Sequence, residues 1–247
     1  MLAGNGYMYA FLKIYKEKFS KEHGELSGVV KNAFLTNARH LFVPDPFSEE
    51  SILKDDTIPV MITLLNGKPY GSTISQPSFV LLILQVMKLE QKVGKILEIG
   101  SGCGWFAAML SHLAEKVVGV EIFDLLCYFS RQKMVQQKIE NVEIQKVNPK
   151  VRIGYPQDGP YDRIVASCAI PYKSVKEIVD QLSPSGIAVI PIQLATLPME
   201  KIPQEIVSEL GDTKPSDLAP EVALLFQIHK DFREWNYITH CQFVIAL

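Results

Sequence analysis

The sequence lacks a long apolar run, which excludes the simplest kind of membrane protein. Its longest uninterrupted runs of apolar residues, among them 79–84 and 105–110, have six residues each, far short of the roughly 20 residues that cross a bilayer as a helix. The first residues also lack a charged start followed by a sustained apolar stretch, the pattern of a secretory signal. We therefore expect no membrane partner and a cytoplasmic location.

Paired cysteines, clustered metal ligands and long runs of one charge are lacking as well. Cys103, Cys127, Cys168 and Cys241 form no C-x-x-C pair, so neither a zinc site nor a redox-active dithiol is indicated. The formal net charge of the 247 residues is only -2, with both signs spread along the chain. We expect reduced thiols, no bound metal, no nucleic-acid partner and a monomeric protein.

The first 75 residues differ in pattern from the remainder. Apolar and charged positions interleave over residues 7–19 and 27–37, which predicts two helices. Residues 45–71 are rich in turn formers and predict a connector with one short strand, 60–65. We therefore expect a helical segment with a connector at 1–75 and a separate core at 76–247.

Short apolar runs alternate with helical stretches from residue 77 onward. The predicted strands are 95–99, 117–121, 142–147, 162–167 and 186–192, and the predicted helices are 77–89, 105–114, 125–138 and 174–182. Such alternation predicts an α/β fold with a doubly wound, mostly parallel sheet. Residues 221–229 and 237–246 predict an antiparallel hairpin at the sheet edge, after a polar stretch with a short helix at 204–210.

A glycine-rich turn follows the first strand of this alternating region. Gly100, Gly102 and Gly104 come directly before a predicted helix. Glycine lets the backbone turn tightly and approach a ligand closely, and the first N–H groups of the helix are unpaired. The spacing is not the G-x-G-x-x-G of dinucleotide-binding turns, because Trp105 occupies the third glycine position. The G-K-[ST] of a P-loop is lacking too.

Two glutamates flank this turn. Glu98 precedes it, and Glu121 closes the next strand at the distance of about 20 residues at which a carboxylate meets ribose hydroxyls in nucleotide-binding units. The spacing is similar to the first motif of S-adenosylmethionine-dependent methyltransferases. That cofactor has a cationic amino-acid end and a ribose, which suit nearby carboxylates. The combination favours an S-adenosylmethionine site over a plain strand–turn–helix junction.

Further segments resemble one methyltransferase family, in the order that the family has them. Thr73-Ile74-Ser75-Gln76-Pro77 is similar to its T-I-S-x-P signature, and residues 39–44 resemble its R-H-x-F-V-P segment. Residues 160–164, 181–186 and 241–247 are similar to its A-P-Y-D-x-I, Q-L-x-x-G-G and terminal F-V-P-L. On these motifs the chain resembles the protein-L-isoaspartate O-methyltransferases.

The resemblance implies methyl transfer from S-adenosylmethionine to the free carboxylate of L-isoaspartyl residues in damaged proteins or peptides. It implies that Ser75 is the active-site serine, hydrogen-bonding near the acceptor carboxylate. A serine before a proline-started helix is also an ordinary N-cap, and the two roles can coexist. The expected cofactor contacts, from the glycine turn and the resemblance together, are Thr73, Ile74, Ser75, Glu98, Gly100, Ser101, Gly102, Gly104, Glu121, Ile122 and Asn148.

The chain also departs from the family pattern, mostly in acceptor-side loops. Val147-Asn148-Pro149 stands where the family has G-D-G, whose aspartate contacts adenine. The Asn148 oxygen can still accept a hydrogen bond from the adenine amino group, without the charge. Residues 196–220 form a longer insertion than the usual hairpin. Two alternatives therefore stay open: a methyltransferase of the same fold acting on another carboxylate, and a catalytically weak paralogue that binds S-adenosylmethionine.

Overall fold

A seven-stranded sheet forms the centre of the protein. The structure is a computed structural model that describes residues 6–44, 49–65 and 68–245. The strands of these residues are β1 (Ile58–Leu65), β2 (Lys68–Ile74), β3 (Val93–Ile99), β4 (Ala114–Glu121), β5 (Val142–Lys146), β6 (Tyr161–Ala166), β7 (Leu182–Gln193), β8 (Val222–His229) and β9 (Trp235–Gln242). The central sheet has the order β5-β4-β3-β6-β7-β8-β9, and β1 pairs with β2 in a separate hairpin.

Helices cover both faces of this sheet. They are α1 (Met8–Lys18), α2 (Ser20–His23), α3 (Gly28–Thr36), α4 (Glu49–Leu53), α5 (Pro77–Val86), α6 (Trp105–Ser111), α7 (Asp124–Gln136), α8 (Val175–Val179) and α9 (Gln204–Leu210). Helix α6 ends earlier than predicted because Ala114 already belongs to β4. Within the described ranges, no helix combines the length and the apolarity that a membrane crossing requires.

The sheet changes from parallel to antiparallel pairing along its width. β3 pairs in parallel with β4 on one side and β6 on the other, and β5 and β7 extend the parallel part. β8 and β9 are antiparallel additions at the far edge. The predicted doubly wound, mostly parallel α/β sheet with a C-terminal antiparallel hairpin is confirmed.

Two hydrophobic cores lie on opposite faces of the sheet. Successive residues of β3 alternate between them: Ile96 belongs to the core under α1, α3, α5 and α6, and Leu97 belongs to the core under α8. Val117 and Val118 of β4 divide in the same way. A parallel strand that is buried on both faces carries a near-continuous run of apolar residues, and such short runs are the signal that predicts these strands.

The N-terminal region contains more structure than the sequence predicts. Helices α1 and α3 coincide with the two predicted helices. The connector, however, carries α4 and an antiparallel strand pair, with β1 longer than the predicted strand and paired to β2 from Ile58↔Ile74 to Leu65↔Lys68. Positions 45–48 and 66–67 of the predicted connector lie outside the described residues. The division at residue 75 stays a prediction.

Residues 196–220 cover one end of the second core. Ile202 and Ile206 are buried in the core that also contains Phe226. The Lys201 ammonium lies 4.6 Å from the ring centroid of Trp235. The predicted helix at 204–210 is present as α9. The insertion therefore supplies a covering layer for the antiparallel end of the sheet.

Candidate active site

The glycine turn connects β3 to α6. Gly100, Gly102 and Gly104 have φ values of 85°, 51° and 85°, a left-handed region that other residues rarely adopt. A Cβ on Gly104 would lie 2.9 Å from Cε of Met134 and 3.0 Å from Cβ of Ser130. Gly104 therefore serves both the turn and the close packing of α7 against it.

The Glu121 carboxylate is fastened to the same turn. Its Oε2 accepts the Gly102 N–H at 2.9 Å, and its Oε1 accepts the N–H groups of Ile122 at 2.6 Å and Phe123 at 3.1 Å. Burial raises the pKa of Glu121, and the three N–H groups oppose that rise. They use three of about four lone-pair sites of a carboxylate. One site remains for a ligand hydroxyl.

Glu98 is a buried carboxyl group at the end of β3. Its side chain is 1% exposed, and Oε1 accepts the Ser167 hydroxyl at 3.4 Å. Oε2 has no hydrogen-bond partner among the described residues. Burial raises the pKa of Glu98 to about 8, partly offset by the hydroxyls of Ser101 and Ser167. A buried carboxyl oxygen without a partner is suited to receive a donor from a ligand.

A cleft of about 900 Å³, its open mouth included, lies at the carboxyl ends of β3, β4 and β6. Ligands of open α/β sheets bind at this edge. We call it the main cleft, and 25 residues between Ser72 and Ile245 line it. Nine predicted contact residues are among them: Thr73, Ile74, Ser75, Glu98, Gly100, Ser101, Gly102, Glu121 and Ile122. Gly104 and Asn148 do not line the cleft.

Asn148 opens a turn at the rim of the main cleft. Its side chain is exposed, its Oδ1 accepts the Lys150 N–H at 3.1 Å, and its carbonyl accepts the Val151 N–H at 3.0 Å. The neighbours Val147 and Pro149 line the cleft instead. This placement does not support the predicted contact between Asn148 and adenine, because local backbone bonds already engage its oxygen.

Asp55, and not Ser75, caps the start of α5. The N-cap residue is Gln76, whose side chain makes no capping bond. Asp55 accepts the Ser78 N–H at 2.8 Å and the Ser78 hydroxyl at 2.7 Å, and it accepts the Gln76 amide at 2.9 Å. Ser75 is half-buried and lines the main cleft. The helix-cap alternative for Ser75 therefore finds no support in the structure.

Arg39 holds the same segment from the interior. Its guanidinium, fully buried, donates to the carbonyls of Ile74 at 3.3 Å and Ser75 at 3.0 Å. It also donates to the carbonyls of Lys54 at 3.1 Å and Asp56 at 2.5 Å. Burial lowers the pKa of Arg39 to about 10, so the group stays charged near neutral pH. One side chain thus ties the connector to the segment that carries Ser75.

A second opening, which we call the side groove, adjoins the main cleft. It encloses about 880 Å³, open solvent included. Two stretches of the chain line it: Thr57, Thr73, Ser75, Gln76 and Phe79 come from the connector and α5, and Glu221, His240, Cys241, Gln242, Phe243 and Val244 come from the C-terminal strands and their flanks. Thr73, Ser75 and Val244 line both openings. The two spaces therefore meet at these three residues.

Sequence reasoning did not place Arg39 or Asp55 in the site. The sequence around Arg39 does offer a clue to its role, because Arg39 begins the R-H-L-F-V-P segment and is a charged residue before an apolar run. Asp55 offers no such clue, because it is one of two adjacent aspartates in a polar connector. Arg152, Ile153 and Gly154 of the loop after β5 also line the main cleft without having been predicted.

The amino-acid sequence of this chain is similar to those of one family of methyltransferases. A family model described as Protein-L-isoaspartate(D-aspartate) O-methyltransferase (PCMT) matches residues 15–209. A protein-L-isoaspartate O-methyltransferase of Maricaulis maris is 32% identical over 169 residues, 68% of this chain and 73% of that protein. One of Thermococcus sibiricus is 32% identical over 184 residues, 71% of this chain and 75% of that protein. The chain belongs to the protein-L-isoaspartate(D-aspartate) O-methyltransferase family.

Solved structures agree on the fold of this family. A protein-L-isoaspartate O-methyltransferase superposes with a TM-score of 0.70 at 22% identity, over 97% of this chain and 66% of that one. A beta-aspartate methyltransferase (PCMT) of Plasmodium falciparum, in complex with S-adenosyl-L-homocysteine, superposes with a TM-score of 0.64 at 19% identity, over 96% and 97%. At these identities the likeness shows the fold.

Family membership confirms the activity and the cofactor that the sequence predicts. The protein is an S-adenosylmethionine-dependent protein-L-isoaspartate O-methyltransferase. The main cleft fits this cofactor, because Glu98 Oε2 is buried without a partner and Glu121 keeps one free acceptor site beside the glycine turn. In the part of the chain that the structure describes, no group of three or more metal-ligating side chains is found.

Proposed function

We propose that the main cleft holds S-adenosylmethionine, that the side groove holds the isoaspartyl segment, and that methyl transfer takes place where the two meet. The observation that carries this assignment is that Thr73 and Ser75 line both openings. A methyl donor in one space and a carboxylate in the other would approach each other at these residues. Ser75 is the proposed catalytic residue.

The residues of the main cleft have distinct proposed roles. When bound, S-adenosylmethionine supplies an electrophilic methyl group. Glu121 accepts a ribose hydroxyl through its remaining lone-pair site, and Glu98 accepts a donor from the amino-acid end. Gly100 and Gly102 leave space for the ligand against the backbone. These contacts hold the ligand in one orientation, which is what an in-line transfer requires.

The acceptor needs orientation and no strong base. A carboxylate is already ionised near neutral pH, so no proton has to be removed before the attack. The hydroxyl of Ser75 donates a hydrogen bond that fixes the carboxylate oxygen beside the cleft. The carbonyl of Ser75 is itself held at 3.0 Å by Arg39. The chain therefore contributes positioning and exclusion of water, which supply much of the barrier reduction in such reactions.

Paired peptides test the reaction. A peptide with one isoaspartyl residue and its normal aspartyl twin carry the same charge, so bulk electrostatics cannot separate them. We expect radiolabelled methyl transfer to the isoaspartyl peptide and strong discrimination against the twin, because misplacement by about 1 Å costs on the order of a hundredfold. Equal labelling of both would favour another carboxylate acceptor, and no labelling despite intact cofactor binding would favour the non-catalytic paralogue.

A Ser75→Ala variant tests the catalytic residue. We expect the methylation rate to fall much more than the affinity for S-adenosyl-L-homocysteine, and the melting temperature to stay unchanged, because Asp55 supplies the capping bonds of α5. A loss of stability of about 1 kcal/mol with an unaltered rate would instead assign the serine a capping role.

The remaining proposals concern the protein as a whole. We propose a monomer in the cytoplasm that binds no nucleic acid, with residues 1–75 serving the acceptor side of the core at 76–247. The net charge of -2 and the free thiols of all four cysteines support this. Light scattering after size exclusion tests the monomer, since a mass near twice 27.7 kDa would contradict it.

A further inference from the structure

The charge of the side groove has one sign. Among the described residues that line it, Glu221 is the single acidic side chain, and no lysine or arginine is present. His240 is the other side chain of the lining that can carry a charge near neutral pH. A groove of this kind repels an anionic neighbour of the acceptor carboxylate and attracts a cationic one.

Glu221 is held in place without being neutralised. Its backbone carbonyl accepts the Phe243 N–H at 3.1 Å, next to the Val222↔Gln242 pair that joins β8 to β9. Its side chain is exposed, and it forms no ion pair with any residue that the structure describes. The carboxylate is thus anchored at the rim and open to a ligand.

Two aromatic rings line the same groove as this carboxylate. Phe79 and Phe243 have ring centroids 5.7 Å apart at an interplanar angle of 63°, and both are half-buried. Phe79 lies on α5, and Phe243 lies just after β9. A planar guanidinium stacks on aromatic rings and pairs with a carboxylate in bidentate geometry. An ammonium group stacks on aromatic rings less well.

We propose that the side groove selects isoaspartyl segments with a cationic residue, arginine above all, next to the damaged position, and that Glu221 is the residue that selects it. The inference rests on the proposed function, which puts the isoaspartyl carboxylate at Ser75. With that carboxylate at the junction of the two openings, the neighbouring residue of the peptide lies along the groove. Its side chain meets Glu221 and the two rings.

The test uses isoaspartyl pentapeptides that differ only in the residue beside the isoaspartyl position, arginine in one and glutamate in the other. Initial methylation rates give kcat/KM for each. Fluorescence anisotropy gives the affinity of each labelled peptide for the full chain saturated with S-adenosyl-L-homocysteine. We expect a preference for the arginine peptide on the order of fivefold in both readouts, as for an exposed ion pair. This preference should become smaller in high salt, because salt screens the ion pair.

Three variants assign that preference. The ratio of kcat/KM for the arginine peptide to that for the glutamate peptide should approach one in Glu221→Gln. In Glu221→Lys this ratio should fall below one. Glu140→Gln, a change at an exposed glutamate that lines neither opening, should keep the wild-type ratio. His240→Gln should keep it as well. Loss of the ratio in His240→Gln, or its survival in Glu221→Gln, would overturn the role of Glu221.

The two readouts separate this inference from the proposed function. Methylation of both peptides at equal kcat/KM would refute the selection by charge and leave the proposed reaction intact. Charge-selective binding without methylation would refute the proposed reaction and support the selection of peptides by the side groove. If the loaded protein neither bound nor methylated either peptide, both would be wrong.

Discussion

Asp55 and Ser78 are joined by two hydrogen bonds, although 23 residues separate them. The same carboxylate accepts the Lys18 ammonium at 3.2 Å. It therefore connects α1, the connector and the first turn of α5. Burial acts to raise the pKa of Asp55, but the hydrogen bonds from Gln76, Ser78 and Lys18 outweigh it and the pKa is lowered.

We predict that Asp55→Asn weakens this junction. An amide cannot replace both acceptor oxygens, so the free energy of unfolding at pH 7 should fall by about 1–3 kcal/mol. Because the pKa of Asp55 is lower in the folded chain than its usual 3.8, its contribution is present above that pH and is lost as the pH falls through the lower value. Urea titrations of the wild type and the variant should therefore show a smaller difference in the free energy of unfolding at pH 3 than at pH 7. Asp212→Asn, at an exposed aspartate, is the matched control and should be neutral.

Glu98 should make the unliganded protein more stable in mild acid. The pKa of Glu98 is raised by burial from 4.5 to about 8, so folding takes up a proton between these values. Its contribution to stability is complete below pH 4.5, declines by up to about 1.4 kcal/mol per pH unit as the pH rises, and is lost above pH 8. In Glu98→Gln this decline should be missing. Parallel slopes for the two proteins across this window would show that the carboxyl group titrates normally.

Gly119 leaves the space that Ser101 occupies in the main cleft. A Cβ at this position of β4 would lie 2.3 Å from Ser101 Oγ and 2.7 Å from Cδ1 of Ile144. Gly119→Ala should therefore destabilise the fold by about 1–3 kcal/mol, as overpacking does, and weaken the binding of S-adenosyl-L-homocysteine. Gly28→Ala, where an added Cβ meets nothing within 4 Å, should change neither. Unaltered calorimetry for Gly119→Ala would mean that Ser101 can move without cost.

Glu121→Ala should reduce cofactor affinity. Losing a hydrogen bond to a charged group costs about 1.5–3 kcal/mol. Calorimetry should therefore give a dissociation constant that is roughly ten- to hundredfold larger. Glu115 lies in the same strand with its side chain exposed, so Glu115→Ala should bind like the wild type. Equal affinities of the wild type and Glu121→Ala would remove this glutamate from the site.

The sequence predicts much of the lining of the main cleft for a local reason. β3, the glycine turn and the start of α6 are contiguous, and a strand buried on both faces is recognisable as a short apolar run. Glu98 and Glu121 each end a strand at the edge where ligands of such sheets bind. Strand order and burial then bring them to one cleft without further information.

The segment that carries Ser75 is less predictable, because the contacts that hold it are distant in sequence. Arg39 reaches carbonyls 15 to 36 residues away, and no pattern along the chain encodes those partners. The hairpin was missed because β2 contains a proline and a glycine, residues that are depleted in strands. Asn148 is a different case, since a bond two residues along the chain competes with any ligand for its oxygen.

Trp105, the first residue of α6, donates its indole N–H to the carbonyl of Asn37 at 2.8 Å, and its ring lies 5.6 Å from the Arg39 guanidinium. The residue beside the glycine turn therefore has its polar partner in the N-terminal segment. Family members that exchanged this segment by recombination would leave a buried indole unpaired unless the incoming backbone offered a carbonyl at the same place. A change of backbone path at Asn37 would therefore require a compensating change at Trp105, 68 residues along the chain.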